Sequence, residues 1–159
     1  MRRPIIGVMG GGRADADALA AAHRLGQLIG AQGWVLLNGG RPAGIMEASA
    51  RGAREQGGLT IGILPDDRPG GASEYIDIPI LTGIGDARNY VNILSSDVVV
   101  ACPGKAGTLS EIALALKNRR RVVLLDFDVG TSFDAYREEG LLFEAATPAE
   151  VIERIKKLL

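Results

Sequence analysis

Cysteine is almost missing from this chain. Cys102 is the only one, so no intramolecular disulfide can form, and a reducing compartment is the expected setting. Histidine is as scarce: His23 stands alone within a helical stretch, which removes clustered imidazoles and gives no expectation of a metal. Aromatic residues make up 4% of the chain. No apolar run approaches the ~18 residues of a membrane helix, and the run Ile5 to Met9 is too short for the apolar segment of a signal peptide. The expectation is a soluble, cytoplasmic protein with no membrane partner. Charge of one sign is also lacking: 18 basic residues face 19 acidic ones, for a net charge of −1. That balance gives no general attraction to nucleic acid. The basic side is itself skewed, since only Lys105, Lys117, Lys156 and Lys157 are lysines.

Glycine is plentiful, at 22 of 159 residues. Many glycines with little aromatic bulk suit tight strand-to-helix turns and close approach of backbone to a ligand. The length fits one domain, residues 1–159, with no linker, repeat or low-complexity tract. Short apolar runs alternate with helical patterns from end to end, which predicts an α/β fold: a single doubly wound, Rossmann-like domain with a mainly parallel sheet flanked by helices. Strands are predicted at about 4–9, 34–38, 60–64, 97–102 and 122–127, with a short edge strand around Pro79 and a last one at 141–143. Helices are predicted at about 14–32, 44–56, 85–95, 103–118 and from Thr147 onward, where Thr147-Pro148-Ala149-Glu150 reads as a capping box with proline in the first turn. The segment Asp66 to Glu74, rich in glycine and proline, reads as the most mobile loop and a candidate lid.

In an open parallel sheet, ligands bind outside the carboxyl ends of the strands. Three predicted strand-to-helix turns there carry glycine: Gly10-Gly11-Gly12; Gly39-Gly40-Arg41 with Gly44; and Pro103-Gly104-Lys105-Ala106-Gly107-Thr108. Each offers close backbone approach beside the free N–H groups of a helix start, an arrangement suited to phosphate. One such turn has a purely steric explanation; three on one edge point to a binding site for a phosphorylated small molecule. No GxxxxGK[ST] is present, and no GxGxxG follows the first strand, so neither a P-loop nor a standard dinucleotide site is expected.

The segment Pro103-Gly104-Lys105-Ala106-Gly107-Thr108-Leu109-Ser110-Glu111 resembles the PGGxGTxxE motif of phosphoribohydrolases of the LONELY GUY type, departing from it at Lys105. Gly39-Gly40-Arg41-Pro42-Ala43-Gly44-Ile45-Met46 resembles their GGGxxGLM turn, with Arg41 in place of the third glycine and Ile45 in place of Leu. Arg88-Asn89 stands where the family has Arg-Lys. The likeness runs from Ile5 to about Leu125. Gly40-Arg41 and Met46-Glu47-Ala48 are closer to a sister branch of molybdenum cofactor carrier proteins, related to DprA, whose members often carry a lysine decarboxylase label. No lysine here sits in a pyridoxal-phosphate context, so that label finds no support.

The resemblance implies binding of a phosphorylated nucleotide or pterin-nucleotide and leaves enzymatic activity open. If the chain is an enzyme, Arg88 and Glu111 would be the catalytic pair that hydrolyses the N-glycosidic bond of a nucleoside 5′-monophosphate. A carboxylate at Glu111 would stabilise oxocarbenium character on the ribose and orient water. Arg88 would grip phosphate or ribose oxygens through its planar fork. Phosphate contacts would come from Gly10, Gly11, Gly12, Gly39, Gly40, Arg41, Gly44, Asn89, Pro103, Gly104, Lys105, Ala106, Gly107 and Thr108. A structural alternative stands beside this: Glu111 complementing a helix dipole, with Arg88 as its ion-pair partner. The alternative function is a non-catalytic carrier with molybdenum cofactor as cargo, no other cofactor being required. The departures at Asn89 and Lys105 bear on turnover more than on binding. The resemblance also implies a homo-oligomer, dimer or tetramer; DNA binding of the DprA kind is disfavoured by the charge.

Cys102 reads as core. Arg119-Arg120-Arg121 reads as cations after a helix end, with a nucleic-acid patch as the minor reading; Asp126 and Asp128, at a strand's carboxyl end, fit contact with a ligand and turn chemistry equally well.

Overall fold

The computed structural model describes residues 1–159. Seven strands and six helices follow in chain order: β1 (Ile5–Met9), α1 (Ala16–Ala31), β2 (Val35–Asn38), α2 (Gly44–Glu55), β3 (Thr60–Leu64), β4 (Ile78–Leu81), α3 (Arg88–Ser95), β5 (Val98–Ala101), α4 (Ala106–Lys117), β6 (Arg121–Leu125), α5 (Asp134–Glu138), β7 (Leu142–Ala145) and α6 (Pro148–Leu158). The strands form one sheet in the order β4-β3-β2-β1-β5-β6-β7, and every adjacent pair is parallel. Strand order reverses between β1 and β5, so the crevice that a doubly wound sheet opens at its switch point lies above these two strands.

The chain folds this way because its central strands are apolar on both faces. Val98, Val99, Val100 and Ala101 are all buried, as expected of a strand covered by helices on either side. One face, with Ile6, Val8, Leu36, Val98 and Val100, packs under α1, α2 and α6. The other, with Met9, Leu37, Ile63, Val99 and Leu124, packs under α3 and α4. Helices α1 and α2 approach so closely that a Cβ at Gly26 would strike the carbonyl of Ser49, and one at Gly52 the carbonyl of His23.

Most predicted elements lie within a residue or two of their observed ends, a normal spread for boundaries. Pro79 sits in β4 at the sheet edge, where its missing N–H breaks no ladder. Helix α5 escaped the sequence reading, being five residues long and without an apolar period. The last strand, expected at 141–143, runs two residues further. Thr147 caps α6 as expected, accepting from the Glu150 N–H, while Glu150 reaches back to the N–H of Ala146 rather than of Thr147.

Candidate functional site

Above the switch point the loops after β1 and β5 are tied together. The Gly11 N–H donates to the Pro103 carbonyl at 3.0 Å, and the Ile45 N–H, in the first turn of α2, donates to the Gly11 carbonyl at 3.0 Å. They enclose a cavity of about 470 Å³ lined by Gly10, Gly11, Gly12, Arg13, Lys105, Gly107, Thr108 and Glu111. A second cavity of the same volume, over β6 and β7, is lined by Asp126, Asp128, Glu144 and Glu150. Four carboxylates repel an anion, so the glycine-lined cavity is the one suited to phosphate.

The glycines divide by what surrounds them. A Cβ on Gly10 would lie 2.6 Å from Ile45 Cγ1, and on Gly39 it would strike the Arg88 guanidinium. A Cβ on Gly44 would strike the Gly11 carbonyl, and on Gly104 the Thr108 hydroxyl. These four are glycines because protein fills the space. Gly12 and Gly107 differ: a Cβ on either would meet nothing within 4 Å, and neither is held at positive φ. Both open onto the cavity.

Helix α4 starts at Ala106 with no side chain capping it, whereas α1 is capped by Asp15, which accepts from the Ala18 N–H. Its first N–H groups and the positive end of its dipole therefore remain available at the cavity. Arg13 and Lys105 add two cations at the rim. Arg13 was missed by the sequence reading; its place directly behind Gly10-Gly11-Gly12 was the available signal.

Glu111 lies one turn inside α4 and is 8% exposed. Burial pushes its carboxyl up to about 7, against a weaker opposing effect of the Arg88 charge. Arg88 opens α3. Its Nη1 donates to the Gly39 carbonyl and, at 2.6 Å, to the Ile63 carbonyl, clamping the ends of β2 and β3. Burial depresses its pKa, with the Glu111 charge working the other way; the guanidinium stays charged. The ion pair that the structural alternative gave Arg88 and Glu111 is not formed at contact distance; the two attract through space, and the hydrogen bonds of Arg88 go to backbone carbonyls.

The turn after β2 stands further off. Gly40, at φ +76°, packs on Gly62 and Leu64, and its N–H donates to Asn38 Oδ1 at 2.8 Å. Arg41 pairs with Asp66 at 2.9 Å, and the Ser73 N–H donates to the Gly40 carbonyl at 2.8 Å. The segment 66–74 is therefore fastened to the Gly40-Arg41 turn, and it contains a short 3₁₀ turn, Pro69–Gly71. Gly44 borders a different groove, between α1 and α2. Of the residues singled out from sequence, Gly10, Gly11, Gly12, Lys105, Gly107, Thr108 and Glu111 meet in one cavity. Gly39, Gly40, Arg41, Gly44, Arg88, Asn89, Pro103, Gly104 and Ala106 do not line it; Gly44 and Gly104 support its walls through their close contacts with Gly11 and Thr108. Asn92, 1% exposed, was not singled out at all.

Comparison with known proteins fits this geometry. The structure superposes with a TM-score of 0.93 on the molybdenum cofactor binding protein of the phototrophic bacterium Rippkaea orientalis, at 50% identity over 99% of this chain and 98% of that one. For the molybdenum cofactor carrier protein of Chlamydomonas reinhardtii the TM-score is 0.91, at 44% identity over the same shares. A cytokinin riboside 5′-monophosphate phosphoribohydrolase of Mycobacterium tuberculosis is 33% identical over 99 residues, 61% of this chain and 53% of its own length. The model of the SLOG cluster4 family matches residues 3–152, and the chain belongs to that family.

Proposed function

We propose that the chain binds a phosphorylated pterin of the molybdenum-cofactor class and carries it without transforming it. The observation that carries this reading is the end-to-end likeness to molybdenum cofactor binding and carrier proteins. The site's chemistry agrees. Phosphate fits the uncapped start of α4 between Gly12 and Gly107, where open space replaces a side chain. Lys105 and Arg13 supply the counter-charge. The cavity offers no soft metal ligand: Cys102 is 1% exposed with its thiol pushed up to about 12 by burial, and His23 is hydrogen-bonded to Glu55. The metal of such a cargo would keep its own ligands.

One observation favours a second reading, hydrolysis of nucleoside 5′-monophosphates. A buried carboxyl that titrates near 7 is suited to proton transfer at neutral pH, and the mycobacterial phosphoribohydrolase is a relative. Against it stands Arg88, whose Nη1 is committed to two carbonyls of the fold.

The two readings separate by chromatography of the purified protein incubated with a panel of nucleoside 5′-monophosphates, with Glu111→Ala as control. The carrier reading expects no free base, together with thermal stabilisation by bound ligand. Free base released by the wild type and not by Glu111→Ala would replace it with the hydrolase reading.

A further inference from the structure

A groove of about 510 Å³ lies between α1 and α2. Its walls are small and apolar, with Ala16, Leu19 and Ala20 from α1 and Gly44 and Ala48 from α2. Glu47 stands among them in the first turn of α2, and its Oε2 is sealed from water with no hydrogen-bond partner. An acceptor left in that state is unfavourable. An acid in a first turn complements the helix dipole, but it does so equally well with both oxygens in water. The donors nearby are already engaged by Glu55, about two turns further along α2. His23 Nε2 lies 2.8 Å from Glu55 Oε2, Gln27 Nε2 donates to the same oxygen at 3.0 Å, and Arg51 Nε lies 3.8 Å from Oε1.

We infer that this groove takes the ring of the cargo and that Glu47 reads the ring's amino-imino edge. A pterin presents there an amino group beside a ring N–H, two donors side by side in one plane. A carboxylate only accepts, through two oxygens in one plane, and it meets such a pair as it meets the fork of an arginine. Both oxygens are then engaged, and the Oε2 left unpartnered in the ligand-free protein gains a donor. A flat bicyclic ring fits between alanine and glycine walls, and the groove has the volume of a small-molecule site. Guanine carries the same edge. Adenine turns ring acceptors toward a carboxylate instead, so Glu47 separates the two classes.

The groove and the glycine-lined cavity share a wall. Gly12 lines the cavity and Gly44 the groove, and a Cβ on Gly44 would lie 2.6 Å from the carbonyl carbon of Gly12. The Ile45 N–H, next in the chain, holds the Gly11 carbonyl at 3.0 Å. One ligand that spans this wall has its phosphate at the α4 start and its ring against Glu47. The inference rests on the carrier reading for the identity of the cargo, but its test uses rings that carry no phosphate.

The probes are pterin and lumazine, which has an oxygen in place of the amino group. Fluorescence titration of the wild type is expected to find pterin bound about tenfold more tightly than lumazine, the discrimination that one bidentate pair supplies. Glu47→Gln is expected to lose that preference. Ala20→Leu, at an exposed position on the groove wall, fills the groove without touching the carboxylate and is expected to weaken pterin binding about tenfold. Equal binding of the two rings by the wild type would overturn the inference. So would a preference that survives Glu47→Gln, or pterin binding unchanged in Ala20→Leu. Failure of the carrier reading would show as protein isolated without pterin from a cofactor-making host while the pterin preference stands, so the two failures are distinguishable.

Discussion

Glu111 works against the fold that contains it. A carboxyl with an ordinary value of 4.5 that titrates near 7 when folded is bound more tightly to its proton in the native state. Stability from this group is therefore complete below about pH 4.5 and declines as pH rises through about 7. At about 1.4 kcal/mol per pH unit, the loss is on the order of 3 kcal/mol. Urea unfolding of Glu111→Gln beside the wild type measures it: the variant is expected to be the more stable of the two at pH 8 and to lose that advantage at pH 5. Equal stability at both values would mean that burial does not perturb Glu111. A residue that destabilises the protein near neutral pH points to a role in the site rather than in the fold. Gly107 carries the same lesson by a different route. Within a helix, glycine costs up to about 1 kcal/mol against alanine, and at Gly107 neither packing nor φ requires it. Gly107→Ala is expected to melt no lower than the wild type and to bind its phosphorylated ligand at least tenfold more weakly, read by calorimetric titration. Unchanged affinity would place the phosphate elsewhere.

At the scale of elements, the α1–α2 contact is the least forgiving part of the fold. A Cβ at Gly52 meets the backbone carbonyl of His23 and lies 3.0 Å from the Gln27 nitrogen, atoms that cannot move without moving a helix. Gly52→Ala is expected to destabilise by about 1–3 kcal/mol, measured by denaturant unfolding. A neutral result would show that the helices separate easily. The sequence already displayed most elements, because the strands are unbroken apolar runs between glycine turns, as in β5, and because α6 announces itself at Thr147-Pro148. It displayed the cavity less well. Gly10-Gly11-Gly12 and Gly104-Lys105-Ala106-Gly107-Thr108 could be placed on one edge from the strand pattern alone. That Gly39 is required by Arg88 and Gly44 by the Gly11 carbonyl depends on contacts between distant segments. So does the clamp of Arg88 on the Gly39 and Ile63 carbonyls. Asn92 was invisible for the same reason: one amide in a short amphipathic helix reads as surface until α4 is packed on it.

Across the whole molecule, charge separates along the carboxyl edge of the sheet. Arg13 and Lys105 stand around the switch point, while Asp126, Asp128, Glu144 and Glu150 gather over β6 and β7. This separation favours approach of an anion from one side even though the net charge of the chain is −1. The molecule is also uneven in its apolar surface. By strand register Ile78 and Ile80 share a sheet face with Ile61 and Ile63, yet both are exposed, as are Leu81, Ile84, Tyr90 and Leu94. A parallel strand ordinarily has both faces covered, and a second copy of the chain is the expected cover, in line with the homo-oligomer that the family resemblance implies. Sedimentation should find a self-associated wild type and a smaller species for Ile80→Asp; a monomeric wild type would remove that expectation. No helix is long and apolar enough to cross a membrane.

The most direct measurement of the central claim is the pterin content of the protein purified from a host that makes molybdenum cofactor, read as fluorescence after oxidation. Wild type and Gly107→Leu would be compared at equal concentration. Fluorescence near one pterin per site in the wild type, with its loss in a folded Gly107→Leu, is the expected result. No pterin in the wild type, or equal pterin in both proteins, would contradict the claim that the α4 start between Gly12 and Gly107 holds the cargo.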